Sequence, residues 1–322
     1  FSDQIIVTGL SENLVVKYTS NKENSKEQLY KCYGPTDAVP PITTLIPYGA
    51  IGANNWYITD VQITLTSVDN EGGSGVKKTE YSFDGATWNT YSAPFSITNE
   101  CAMTIYYKST DNAGNVETPE STSIKLDKTS PTTSVIISGT SGNNGWYKSD
   151  VNMSLTSADN CSGVKEIHYI LDGAETIISG STAGFTISAD GTHSLSFRAV
   201  DNANNPETAH PATINIDKTP PVLNVTANPG LLWPPNHKMV NITPLISVSD
   251  NLTSNVQVEL VSVTNSEPDN GLGDGDTAND IVINADGTIS LRAERSGMGT
   301  GRVYTITYKA TDLAGNVTVS SA

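Results

Sequence analysis

The chain has 322 residues and a formal net charge of -16, with only 18 Lys and Arg. So few cations cannot neutralise a run of phosphates, which argues against nucleic acid and anionic membranes as partners. Leu, Met and Phe are sparse beside Thr, Ser, Asn, Gly, Val, Ile and Tyr, a composition suited to short strands and polar turns. No apolar stretch approaches the ~20 residues that span a bilayer.

Residues 1–40 do not fill a domain. FSDQIIVTGL lacks a basic region and a cleavage site, as expected of an interior piece or a mature form. QIIVTGL and NLVVKYTS are strand-like, KENSKEQ is polar, and LYKCYGP leads into the first repeat. Two readings stand: these are terminal strands of an upstream domain, or donor strands that complete a neighbouring subunit by β-augmentation.

From there the chain copies itself with an offset of 90 residues. Trp56 recurs as Trp146, Asp69 as Asp159, Asp111 as Asp201 and Asp127 as Asp217. A period held at four landmarks means duplication of one unit and points to mechanical and geometric work. The units are 41–130, 131–220 and 221–322. In the second, TTSVIIS, DVNMSLTSA, VKEIHYIL, AGFTISA, HSLSFRAV and TINID are short runs of alternating polarity. GNNGWYKSD, DNCSG, ADGT and DNANNPE are the turns between them, the pattern of an antiparallel sandwich. The first unit follows the same order with a longer turn, DNEGGSG. The third keeps the strands before Asp250 and Asp312 and adds the insertion NSEPDNGLGDGDTAND. Asp127, Pro131, Asp217, Pro220 and Pro221 sit at the junctions, where proline fixes φ and makes stiff connectors. The expected architecture is all-β: tandem Ig-like antiparallel β-sandwiches in an extended array.

The motifs NNGWYKSDV, DNCSGVKEIHY, FRAVDNANNPE and IDKTPP resemble the bacterial and archaeal Ig-like repeats of surface proteins and of secreted polysaccharide-active enzymes. The likeness covers 41–220. The third unit, with LLWPPNHKMV, the acidic insertion and RVYTITYKATDLAGNVT, is similar to hyalin-repeat-like modules. The resemblance implies spacing, display or adhesion, without supplying a partner.

Catalytic chemistry is not legible. His168, His193, His210 and His237 lack the spacing of a zinc helix motif, and no nucleophile elbow or phosphate loop is present. The chain is read as a non-enzyme.

Calcium is the candidate cofactor. Asp269, Asn270, Asp274, Asp276 and Asp280 lie close together on a Gly-rich stretch able to wrap oxygens around one ion, or to act as ordinary solvated turn residues. In the Ig-like order, the turns after the second and the penultimate strands lie at the end where the chain enters. Asp159 and Asp201 are therefore expected beside Asp127, and Asp69 beside Asp111; the alternative is that each Asp only caps its own turn. Three cysteines cannot all pair within one chain. Cys101 begins the penultimate strand of the first unit and Cys161 lies in the DNCSG turn of the second, ends that face each other across a short linker. A Cys101–Cys161 disulfide is expected, leaving Cys32 free or paired outside the chain. Trp56, Trp146 and Trp233 share a turn, where packing is favoured over sugar stacking.

The expected function is a non-catalytic extracellular or cell-surface spacer or stalk that positions another domain, calcium-stiffened at its acidic loops. Its partners are neighbouring domains of the same polypeptide, with surface polysaccharide or like subunits as further candidates, and no membrane insertion in this segment. The alternatives are a carbohydrate-binding accessory region and a filament subunit assembling by donor-strand exchange.

Overall fold

The computed structural model describes residues 37–269, 277–297 and 299–322, and the backbone of three strands within residues 5–32. Among the described residues there is no helix, and every regular element is a strand. By compactness the chain divides into two units that cut across the repeats. One is Phe1–Ser130 with Asp159–Gly163 and Asp201–Asn205; the other is the remainder of Pro131–Ala322.

At the N-terminus β1 (Ile5–Thr8), β2 (Leu14–Tyr18) and β3 (Lys31–Cys32) form a three-stranded sheet. The first repeat contains β4 (Ile42–Tyr48), β5 (Val61–Val68), β6 (Val76–Ser82), β7 (Asn89–Thr90), β8 (Phe95–Ile97), β9 (Cys101–Asp111) and β10 (Glu120–Leu126). Its sheets run β4-β5-β8 and β10-β9-β6-β7. The second contains β11 (Thr132–Ser138), β12 (Trp146–Tyr147), β13 (Val151–Ala158), β14 (Val164–Leu171), β15 (Ala174–Ser179), β16 (Thr182–Ile187), β17 (Gly191–Asp201) and β18 (His210–Ile216), in sheets β11-β13-β16 and β12-β18-β17-β14-β15. These are tandem Ig-like sandwiches, each a three-stranded sheet facing a larger one.

Period-two patterning decides what each face buries. Along β13, Val151, Met153 and Leu155 turn inward and Asn152, Ser154 and Thr156 outward. The inward set packs with Ile167, Leu195, Phe197 and Ile216 in the second core, while Val61, Ile63, Ile105, Ile124 and Leu126 build the first. Each such side chain contributes about 1.5–3 kcal/mol by leaving water.

The third repeat is more divided. It comprises β19 (Val222–Thr226), β20 (Met239–Ile242), β21 (Leu245–Ser249), β22 (Gln257–Asn265), β23 (Ile281–Ile283), β24 (Ile289–Arg292), β25 (Tyr304–Thr311) and β26 (Val317–Ser321). They form sheets β19-β21, β20-β24-β23 and β22-β25-β26.

A buried carboxylate latches the first strand in two of the repeats. Glu207 accepts hydrogen bonds from the Thr133 amide (2.8 Å), the Thr133 hydroxyl (2.5 Å), the Ala199 amide (3.0 Å) and His210 Nε2 (2.9 Å). Glu117 does the same for Thr43 and the Ser109 amide. Burial pushes Glu207 up, but these bonds outweigh it and hold its carboxyl below the ordinary range. One period beyond Thr133 stands Leu223, buried against Val225 and Ala310, so the third repeat closes this corner with apolar contact instead.

Glu207→Ala would strand two buried amides and a hydroxyl, and a loss on the order of 3 kcal/mol is expected. Urea unfolding of wild type, Glu207→Ala and Glu207→Gln checks this; Gln, which keeps one acceptor, should fall between. An alanine variant as stable as wild type would show the latch to be idle.

Candidate metal centres at the acidic junctions

The residue that organises each junction is an aspartate at the end of a long strand. Asp201, the last residue of β17, accepts the Asn205 amide and the Asn205 Nδ2 group, each at 2.7 Å. The same Nδ2 donates to the backbone oxygen of Asp127 at 3.0 Å. One asparagine therefore ties its own turn to the strand end and to the linker that enters the repeat. Asp127 is held in turn by the Thr129 and Ser162 amides, and Asp159 by the amides of Cys161 and Gly163.

The outcome is convergence. Asp127, Asp159 and Asp201 each present a carboxylate oxygen, all within 4.8 Å of one another. Asp127 and Asp201 are 1% and 0% exposed. Asp159 Oδ1 is buried and accepts no hydrogen bond. Burial first, then the neighbouring Asp127 and Asp159 charges, push the Asp201 carboxyl above its ordinary value despite the Asn205 bonds.

Among the described residues the arrangement occurs three times. Asp37, Asp69 and Asp111 form one cluster, and Asp217, Asp250 and Asp312 another, with the same 4.8 Å limit. Asn115 and Asn316 repeat the role of Asn205, reaching the backbone oxygens of Asp37 (3.1 Å) and Asp217 (3.0 Å). In the third cluster Asp250 Oδ2 is again a buried oxygen without a hydrogen bond. Burial, then Asp312 and Asp250, raise Asp217. Sequence reasoning placed Asp127, Asp159 and Asp201 together and paired Asp69 with Asp111. It missed Asp37, although Asp37 stands one period before Asp127, and the whole third cluster.

Other expectations meet different fates. Cys101 and Cys161 are joined in a disulfide with Cα atoms 4.7 Å apart. Asn270, Asp274 and Asp276 lie outside the described residues. Asp269 spends its carboxylate on the Asn279 and Asp280 amides. Asp280 is buried and paired with Arg302 and with Arg292 Nε (3.2 Å), so its charge already has partners within the protein. Each of the four histidines touches a carboxylate: His168 meets Glu166 and Glu175, His193 meets Asp172, His210 meets Glu207 and His237 meets Glu294.

The GNNGW-type turns have a use that sequence reasoning did not find. The Ala53 amide and Asn54 Nδ2 donate to the backbone oxygens of Ala203 and Asn202, both at 2.9 Å. Asn143 and Asn144 do the same toward Ala314 and Leu313, at 2.8 and 2.9 Å. A Cβ at Gly52 or Gly142 would collide with the carbonyl oxygen of Ala203 or Ala314, so glycine is needed for this approach.

Residues 184–267 match the Bacterial Ig-like domain (group 3) family, a segment that straddles the second and third repeats. No curated protein matches the chain. Among solved structures it is similar to fibronectin(III)-like modules of Clostridium thermocellum CbhA, with 14% identity, 54% of this chain and 94% of that one covered, and a TM-score of 0.27. A 1.5-MDa bacterial ice-binding adhesin aligns at 13% identity, 88% and 96% coverage and a TM-score of 0.33. Three domains of the bacteriophage RB49 Highly Immunogenic Outer Capsid protein align at 10% identity, 88% and 96% coverage and a TM-score of 0.32.

Two measurements check the junction chemistry. A carboxyl raised in the folded state binds its proton more tightly there than when unfolded, so its stabilising effect is fully present below the ordinary value and is lost as pH rises from there through the shifted one. In chelator, stability contributed by Asp201 and Asp217 should fall as pH climbs from the ordinary value of 3.8 through the raised folded-state value, and Asp201→Asn should flatten that slope. Glu207, held low, acts oppositely and is lost on acidification. Gly142→Ala should lower stability by about 1–3 kcal/mol through steric displacement, while Gly145→Ala, with open space but φ of 78°, should cost about 1 kcal/mol through backbone strain; equal costs would sink the close-approach argument.

Proposed function

We propose that this chain is a non-catalytic extracellular spacer of a surface or secreted protein, whose linkers are stiffened by calcium. The observation that carries the reading is the threefold recurrence of one constellation: a linker aspartate and two turn aspartates with converging oxygens. A catalytic site needs to occur once; a spacer needs the same joint at every step. The hyalin-repeat-like likeness of the third repeat belongs to the same reading.

Calcium suits the donor set. It takes six to eight hard oxygens, and carboxylates with adjacent backbone carbonyls are its ordinary ligands. Asp127, Asp159 and Asp201 would hold one ion, Asp37, Asp69 and Asp111 another, and Asp217, Asp250 and Asp312 a third. Bound there, the ion supplies positive charge that relieves three mutually repelling carboxylates and gives the orphaned Asp159 and Asp250 oxygens a partner. Each ion would clamp a linker to the turns of the repeat it enters, restricting the hinge.

Thermal melting in chelator and in millimolar calcium tests the metal. A ligand at 100 times its dissociation constant adds about 2.7 kcal/mol, so a clear rise in Tm is expected, diminished in Asp201→Asn. Identical melts would remove calcium from the reading. Pulling the chain by its ends tests the spacer: discrete unfolding steps are expected, whereas gradual extension without steps argues against load bearing. Because the disulfide spans a sequence separation of 60, reduction should release on the order of 200 Å of additional chain.

A further inference from the structure

The third repeat departs from the other two at its tryptophan. Trp56 and Trp146 are partly buried in their turns, but Trp233 is 74% exposed and its neighbour Leu231 is 77% exposed. Both line a cavity of about 320 Å³ between the loop 227–235 and the segments Leu291–Arg295 and Gly301–Ile306. That volume is at the small end of ligand sites, which combine apolar walls with a few fixed polar groups.

The polar side of the cavity is unusually well fixed. Arg302 and Glu294, whose side chains are 1% and 0% exposed, face each other at 3.3 Å. Arg302 also meets Asp280 and, at 3.3 Å, Glu267. Arg292 binds Asp280 and the backbone oxygens of His237 and Ala278, and Tyr304 donates its hydroxyl proton to the Arg292 carbonyl at 2.9 Å. Groups so restrained lose little freedom when a ligand arrives. Glu267, Asp280 and Glu294 pair with Arg292 and Arg302, and the exposed Arg295 on the lining brings the count to three groups of each sign, so the charges balance while the chain as a whole is strongly acidic.

We propose that this cavity binds a neutral saccharide. An uncharged ligand is what a balanced cluster tolerates, because a net charge would have to be desolvated without an opposite partner. The ligand must offer hydroxyls that accept from guanidinium, together with an apolar face for an exposed indole. A pyranose chain has both. Trp233 forms the stacking wall, Leu231 the second apolar contact, and Arg292 and Arg295 the polar contacts, while Glu294 stays behind the wall with Arg302. The site is separate from the acidic junctions, so a spacer with this pocket would also grip the polymer beside it.

Titration of the 322-residue chain with cellohexaose, mannohexaose and xylohexaose, followed by calorimetry and tryptophan fluorescence, tests the proposal, with oligogalacturonate as the acidic probe. At least one neutral probe should bind, and Trp233→Ala should weaken it tenfold or more while Trp146→Ala leaves it unchanged. Trp233→Phe, which keeps an aromatic face, should retain binding within a few fold and guards against loss through misfolding. Absence of binding by all three neutral probes at millimolar concentration, tighter binding of oligogalacturonate, or unchanged affinity in Trp233→Ala would overturn it. The calcium-dependent shift in Tm is read separately, so failure of the pocket and failure of the spacer reading are told apart.

Discussion

Everything at the junctions depends on one hydrogen-bonded pair: a buried aspartate ending a strand and the asparagine four residues later. Asp111 with Asn115, Asp201 with Asn205 and Asp312 with Asn316 each close a tight turn through the asparagine amide and side chain. The asparagine Nδ2 then reaches the carbonyl of the linker aspartate, so the turn cannot form in its observed shape without drawing the linker in. Convergence of three carboxylates follows from that closure. Like charges held this near one another raise the free energy of the ionised state, and proteins relieve such strain with a proton or a cation. The raised Asp201 and Asp217 carboxyls are the proton side of that balance, and the proposed calcium would be the cation side.

Other devices share the work, and the copies differ in which they use. Cys101–Cys161 adds a covalent tie at one place, while the approach of Gly52 to Ala203 and of Gly142 to Ala314 recurs at two. The Thr–Glu latch holds the first strand in the first two repeats and is replaced by Leu223 in the third. A corner closed by a carboxylate is directional, since it needs two amides and a hydroxyl in place; one closed by leucine tolerates adjustment. The third repeat, which lacks the directional latch, is also the one whose strands divide among three small sheets.

Much of this was legible in the sequence because duplication prints the same constraint twice. The 90-residue offset gives the strand ends, and the Ig-like order then brings Asp159 and Asp201 to Asp127 and Cys101 to Cys161. What escaped notice had a local or three-dimensional cause. The β14–β15 hairpin turns on Asp172-Gly173, both at positive φ, a two-residue signal that follows VKEIHYIL and to which the sequence reading assigned no turn. The Thr133–Glu207 latch joins residues far apart in the chain, and only the parallel pair Thr43 and Glu117 hints at it. Trp233 occupies the tryptophan position of the first two repeats, yet WPPNH replaces the NNGW or NNWY context that tucks the ring against the sandwich.

The two kinds of acidic residue differ in how much of their charge is already compensated. Residues 265–280 are the most acidic stretch by inspection, but Asp280 is consumed by Arg302 and Arg292, and Asp269 by two backbone amides. A buried guanidinium demands a carboxylate as strongly as a cation does, and once paired that carboxylate has little left to offer an ion. The junction aspartates are satisfied only by neutral donors, which order the oxygens without cancelling their charge. What sets the junctions apart is therefore uncompensated charge in a buried place, and the orphaned oxygens of Asp159 and Asp250 mark it. By the same logic the neutralised arginine–carboxylate cluster of the third repeat is poorly suited to an ion and well suited to a ligand that carries no charge of its own.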